Sequence, residues 1–163
     1  MANRTSTDAS VAAPDTGADT GQRWVELERR LEAGPDRVYR AWSDPEELAR
    51  WLPLGVEGGL AVGARSTLIW PDRRVWWEVL EATPDRRFVI RWPWQGEDSL
   101  VTTATITMEP RGYGSRLVVR DGPFPIDRAD VVDAWASAIE TWTEALTLLR
   151  AYLDFSVDLR TRR

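Results

Sequence analysis

Between positions 127 and 155 apolar residues recur at three- and four-residue steps: Val131, Val132, Trp135, Ala138, Ile139, Trp142, Ala145, Leu146, Leu149, Tyr152 and Leu153. That spacing puts them on one side of an α-helix. A stripe this long needs an equally long apolar surface to lie against. The alternating segments that precede it supply a sheet. The pattern therefore predicts an α+β fold in which a curved sheet grips a helix, leaving an interior space between them.

The preceding segments can be placed one by one. Over 24–31, Val25, Leu27 and Leu31 alternate with Glu26, Glu28 and Arg30, as in a half-buried strand. Gly34-Pro35 ends it, and Val38, Tyr39 and Trp42 form the face of a short helix opened by Pro35. Asp44-Pro45-Glu46-Glu47 restarts the chain. Asp44 is placed to cap, Glu47 to complete a capping box, and Leu48, Trp51 and Leu52 to form a second apolar face. Strands are predicted over 65–70, 74–82, 87–94, 101–109 and 115–121, with a further short one near 56–60. The last two long strands are joined through Pro110-Arg111-Gly112-Tyr113-Gly114, a hairpin signal. Short turns imply antiparallel pairing. The order is β-α-α followed by five or six strands and the final helix. Residues 1–22, with almost nothing to bury, are expected to be a disordered tail; 23–155 form the domain and 156–163 a C-terminal tail.

Composition narrows the chemistry. The chain has 163 residues, enough for one domain with a proper core, and a net charge of −5. It contains no Cys, no His and no Lys. Disulfides, thiolate and imidazole metal sites, Ser-His-Asp triads and Schiff-base lysines are therefore excluded. No metal or other cofactor is expected. Acid–base work would fall to carboxylates, Tyr or Arg. The acidic balance argues against nucleic acid as a partner. Arg160, Arg162 and Arg163 are read as a frayed, solvated end. No segment has the length and apolarity of a membrane span or a signal peptide, so a cytoplasmic location is expected.

Ten tryptophans is a high number for such a domain. Alternation turns Phe88, Ile90 and Trp92 to one side, Ala104, Ile106 and Met108 likewise, and Leu117, Val119 and Asp121 likewise. On 74–82, Val75, Trp77 and Val79 are assigned inward because the other phase contains Glu78; a bulge would reverse the assignment. Trp76 is then an outward ring, and Trp70 and Trp94 lie near strand ends. Trp77, Phe88, Ile90, Trp92, Ile106, Met108, Leu117, Phe124, Trp135, Ile139 and Trp142 are the candidate lining of an apolar, ring-accepting cavity; the tryptophans among them serve equally as solid core. Glu81 and Asp121 fall on the inward phase and, with Tyr39, are the candidate catalytic groups. The preferred reading of both carboxylates is plainer: strand ends in water, or pairs with arginine.

The segments Pro35-Asp36-Arg37-Val38-Tyr39-Arg40-Ala41-Trp42 and Asp44-Pro45-Glu46-Glu47-Leu48-Ala49-Arg50-Trp51-Leu52 resemble the paired-helix signature of bacterial proteins similar to the activator of the heat-shock-protein-90 ATPase. That family belongs to the START-like, helix-grip superfamily, also called SRPBCC. The resemblance continues through Val62-Gly63-Ala64-Arg65, through 79–88, through Gly114-Ser115-Arg116-Leu117, and ends with Trp142, Ala145-Leu146, Leu149 and Tyr152-Leu153. It departs at Thr141, where the family usually has Gly, at Ala64, and at Asp121-Gly122-Pro123-Phe124, which stands for a commoner His-Ser-Gly-Phe run. The resemblance implies a sheet of six or seven antiparallel strands wrapped around the C-terminal helix, with apolar small molecules held between them in relatives.

Three functions follow as expectations. The first is binding of a small hydrophobic, preferably aromatic, molecule without catalysis. The second is a polyketide cyclase or dehydratase-like enzyme using Glu81, Asp121 or Tyr39. The third is a chaperone-activator type of partner-binding module, which the family's name suggests.

Overall fold

The computed structural model describes residues 21–94 and 97–160. The expected N-terminal tail lies outside them, apart from its last two residues, as do Arg162 and Arg163. The elements run β1 (Gln22–Leu31), α1 (Pro35–Ser43), α2 (Pro45–Leu48), β2 (Gly55–Glu57), β3 (Arg65–Ile69), β4 (Arg74–Thr83), β5 (Arg87–Trp94), β6 (Glu97–Arg111), β7 (Gly114–Pro125) and α3 (Ala129–Phe155). The seven strands form one antiparallel sheet in the order β1-β7-β6-β5-β4-β3-β2. Helix α3 lies across its concave face, packed most closely on β1 and β7, and α1 closes one end against β5, β6 and β7.

Local chemistry explains the element ends. Pro35 opens α1, and Val38, Ala41 and Trp42 are its buried face. Asp44 caps α2 by accepting hydrogen bonds from the Glu46 and Glu47 amides at 2.9 and 3.2 Å. The capping box is not formed. The Asp44 amide bonds to the Arg40 carbonyl at 3.0 Å, and the Glu47 side chain turns to Arg37 and Tyr152 instead. The second helix is only one turn long, and Trp51 is buried in the turn that follows it.

Two strands run longer than alternation indicates: β6 starts at Glu97 and β7 continues to Pro125. At Gly122, on β7, an added Cβ would meet the Trp24 ring at 2.7 Å, so the strand can pass under that indole only as glycine. The stripe of α3 holds with one exception, since Val132 is 40 % exposed. Outside the sheet, Arg116 bridges Glu28 and Glu109, and Glu78 accepts from Arg65 and Arg91.

The strand β4 carries the bulge that the sequence left open. Val75, Trp77 and Val79 face inward, and Trp77 and Val79 are fully buried. The register then shifts between Val79 and Glu81, so that Ala82, not Glu81, pairs with inward Phe88. Glu81 is thereby placed on the outer side.

Candidate functional site

The space between sheet and α3 is filled by aromatic rings. Trp42, Trp77, Trp92 and Trp142 form a closed ring of four indoles. Centroids are 6.4 Å apart for Trp42–Trp77, 6.1 Å for Trp77–Trp92, 5.3 Å for Trp92–Trp142 and 6.1 Å for Trp42–Trp142. Trp51 stands edge-on to Trp42 at 4.7 Å, and Trp94 edge-on to Trp92 at 4.5 Å. These edge-to-face and offset arrangements are the ones aromatic quadrupoles favour. Phe88, Ile90, Ile106, Leu117 and Phe124 are 0 % exposed, and Trp77 and Trp142 are 1 % exposed, so none borders a space that water could enter. The expectation of an open hollow walled by these residues is corrected for this part of the molecule. The indoles meet each other instead of surrounding a void.

The remaining lining candidates lie at the margins. Met108 borders a surface depression with Pro35 and Pro84, on the α1 side. Trp135 is half-buried and donates its indole N–H to the Trp24 carbonyl at 3.2 Å. Ile139 packs at the edge of the core. Trp94, expected near a strand end, is buried and donates to the Thr102 hydroxyl at 2.8 Å. Trp76 does lie outside the core, beneath the Arg65 guanidinium at 4.2 Å.

The three catalytic candidates separate. Glu81 sits in water beside Arg87 at 3.1 Å, as the plainer reading held. Tyr39 packs edge-on against Phe88 at 6.4 Å. Asp121 does not follow the plainer reading. It is 0 % exposed, faces the indole ring and, among the described residues, is paired with no arginine. Its Oδ2 accepts from the Trp142 indole N–H at 2.9 Å and, at a long 3.4 Å, from that of Trp92. Its Oδ1 has no hydrogen-bond partner. Burial pushes the Asp121 carboxyl above the ordinary aspartate range, and the nearby polar groups of Thr102, Trp142, Trp92 and Gly122 only partly oppose that. Trp42 and Trp77 also keep indole N–H groups without partners in the same interior.

Open space lies alongside the indole ring, not within it. One depression of about 330 Å³ is lined by Arg73, Arg74, Val75, Trp92, Pro93, Trp94, Ser137 and Thr141. A second, of about 240 Å³, is lined by Leu52, Leu54, Trp70, Pro71, Arg73, Thr141, Glu144, Ala145, Leu148 and Arg160. Arg73 and Thr141 belong to both, so the two adjoin as one groove between α3 and the β3–β4 and β5 side of the sheet. Trp92 links this groove to the interior: it lines the open space and donates its N–H to Asp121. Of these residues, sequence reasoning had singled out Trp92 as lining. Arg73 and Ser137 carried no periodic signal. Thr141 lies off the apolar stripe and is marked only as a departure within the resemblance.

The far end of the groove is closed by the chain after α3. Arg160 donates to the Ala49 and Pro53 carbonyls at 2.7 and 2.5 Å and pairs with Asp158 at 2.7 Å. It is docked, not frayed. Among the described residues no three acidic side chains converge on a metal position, and no helix is long and apolar enough to cross a membrane.

A seven-stranded antiparallel sheet curved around a long C-terminal helix, with two short helices at one end, is the helix-grip fold. The chain belongs to the family described as Activator of Hsp90 ATPase homolog 1-like protein, which it matches over residues 32–154. Among solved structures it is similar to protein MLL2253 from Mesorhizobium loti, with 25% identity and a TM-score of 0.72 over 83% of this chain and 99% of that one. It is also similar to DynU16, described as a putative protein in the dynemicin biosynthetic locus, with 23% identity and a TM-score of 0.73 over 85% of this chain and 49% of that one. The solution structure of the Aha1 dimer from Colwellia psychrerythraea aligns with 14% identity and a TM-score of 0.70, over 81% of this chain and 96% of that one. No curated protein matches the chain.

Proposed function

We propose that this protein binds a small, flat, apolar molecule in the groove beside α3. The observation that carries the reading is the pair of adjoining depressions sharing Arg73 and Thr141, with Trp70, Trp92 and Trp94 on their walls. Indole walls favour ring-shaped ligands through stacking and area burial, and cavities of a few hundred Å³ suit small molecules. The family fold and the neighbour from a biosynthetic locus are consistent with small-molecule binding. The test is titration with a panel of two- and three-ring aromatic compounds, followed by NMR at the indole and amide signals of Trp92, Trp94 and Thr141. Saturable shifts confined to the groove are expected, and Thr141→Trp, which places an indole at the junction of the two depressions, should weaken binding at least about tenfold. A panel that leaves these signals unmoved rejects the reading.

One observation favours a second reading, an enzyme with Asp121 as its acid. That carboxyl is buried, burial pushes its pKa upward, and it lies one indole away from the groove. Asp121→Asn preserves shape and would abolish turnover of a groove substrate while leaving its binding intact. Unchanged turnover removes Asp121 from the chemistry.

A further inference from the structure

We propose that the ligand of this groove is an amphiphilic carboxylate whose charged group is held by Arg73 and Thr141. This rests on the groove reading above and narrows it to a chemical class.

The charge distribution around the groove is the first argument. The protein carries a net charge of −5, yet the groove lining contains three arginines, Arg73, Arg74 and Arg160, against one carboxylate, Glu144. Two of the arginines are already engaged. Arg74 pairs with Glu57, and Arg160 is held by Asp158 and two carbonyls. Arg73 is held loosely. Its contact with Asp72 is 3.9 Å long, between side chains 52 % and 75 % exposed, which water screens strongly.

Position is the second argument. Arg73 closes the tight turn between β3 and β4, where the Trp70 amide bonds to the Arg73 carbonyl at 2.9 Å. Its guanidinium lies over the Trp70 ring, 4.8 Å from the centroid. Stacking leaves the guanidinium edge, with its N–H donors, free to take a carboxylate in fork geometry. On the other wall stands Thr141. The hydroxyls of Thr143 and Thr147 on α3 bond back to the Ile139 and Thr143 carbonyls at 2.6 and 2.8 Å. That of Thr141 makes no side-chain hydrogen bond among the described residues and is available as a donor. The junction of the two depressions thus has a cation on one side and a hydroxyl on the other, with leucine and the Trp70 indole extending one way and Val75, Pro93 and two indoles the other.

The test compares 2-naphthoate with 2-naphthalenemethanol, a neutral analogue with the same ring system, by calorimetry on the full chain. The carboxylate should bind roughly tenfold tighter than the alcohol at low salt, and its advantage should shrink as ionic strength rises. Arg73→Gln should cut the ratio of the two affinities to less than about twofold, whatever change it makes in the affinity for the alcohol alone. Arg73→Lys should retain part of the advantage, and Thr141→Val should lose part of it. Because Arg73 is exposed, these variants should fold normally, which circular dichroism verifies. Equal binding of both compounds, or an advantage that survives in Arg73→Gln, overturns the carboxylate assignment and leaves the groove standing. Failure of both compounds to bind overturns the groove and this inference together.

Discussion

Trp142, in the middle of the long helix, donates its indole N–H at 2.9 Å to Asp121, a charged residue on the buried inner face of β7. This bond ties α3 to β7 inside the core, and it leaves one oxygen of the carboxyl without a partner. Its energetics can be read from pH.

The folded state raises the Asp121 pKa above its ordinary value of 3.8. Between that value and the raised one, the native protein holds a proton that the unfolded chain has released, so this group lowers stability as pH rises through the window. Asp121→Asn removes the titration and keeps the acceptor for Trp142. Urea denaturation of both proteins from about pH 4 to about pH 8 should show the variant gaining on the parent as pH rises. A constant difference across that range contradicts the assignment.

Glu47 acts in the opposite sense. It accepts from Arg37 at 2.8 Å and from the Tyr152 hydroxyl at 2.6 Å, joining α1, α2 and α3. Burial raises its pKa, but the Tyr152 and Arg37 hydrogen bonds outweigh this and hold it below 4.5. The stability it contributes is present above 4.5 and lost as pH falls through the lowered value. Glu47→Gln should cost about 1–3 kcal/mol near neutral pH and progressively less in acid. Denaturation midpoints measured over an acid series check both the size and the direction.

Trp77 and Trp142 are equally buried, but only Trp142 has a partner for its indole N–H. Trp77→Phe removes volume together with an unsatisfied donor, whereas Trp142→Phe removes volume and strips Asp121 of its shorter hydrogen bond. Trp142→Phe should therefore be the more destabilising by about 1–2 kcal/mol. Equal losses in chemical denaturation would show that the bond contributes nothing.

Gly122→Ala would push a methyl group against the Trp24 ring, 2.7 Å from the added carbon, at a backbone φ of +154°. The expected cost is about 1–3 kcal/mol. The displacement should also disturb Trp135, whose N–H bonds to the Trp24 carbonyl. A shifted Trp135 indole signal in NMR is the specific readout.

The fold was legible because periodicity survives without tertiary context. The α3 stripe and the alternation of 115–121 reappear as buried faces, and Phe88, Ile90 and Trp92 are buried as expected, although Val89 and Pro93 on the other side of β5 are buried too. What periodicity could not show is what depends on partners distant in the chain. Leu80 lies where β4 shifts register, and no local residue marks the bulge that turns Glu81 outward. Asp121 is on the predicted face, but its burial depends on Trp142 arriving 21 residues later. Alternation also identifies which side a tryptophan takes without revealing whether rings facing one another leave a gap or close it. The groove was missed for the same reason: Arg73 comes from a turn and Thr141 from the margin of a helix stripe, and only the fold brings them to one opening.

The docking of Arg160 on the carbonyls of Ala49 and Pro53 gives the C-terminal segment a part in the groove wall. A fusion, an affinity tag or a protease cut at that end is therefore not remote from the groove. On the binding reading proposed above, it would register as a change in affinity.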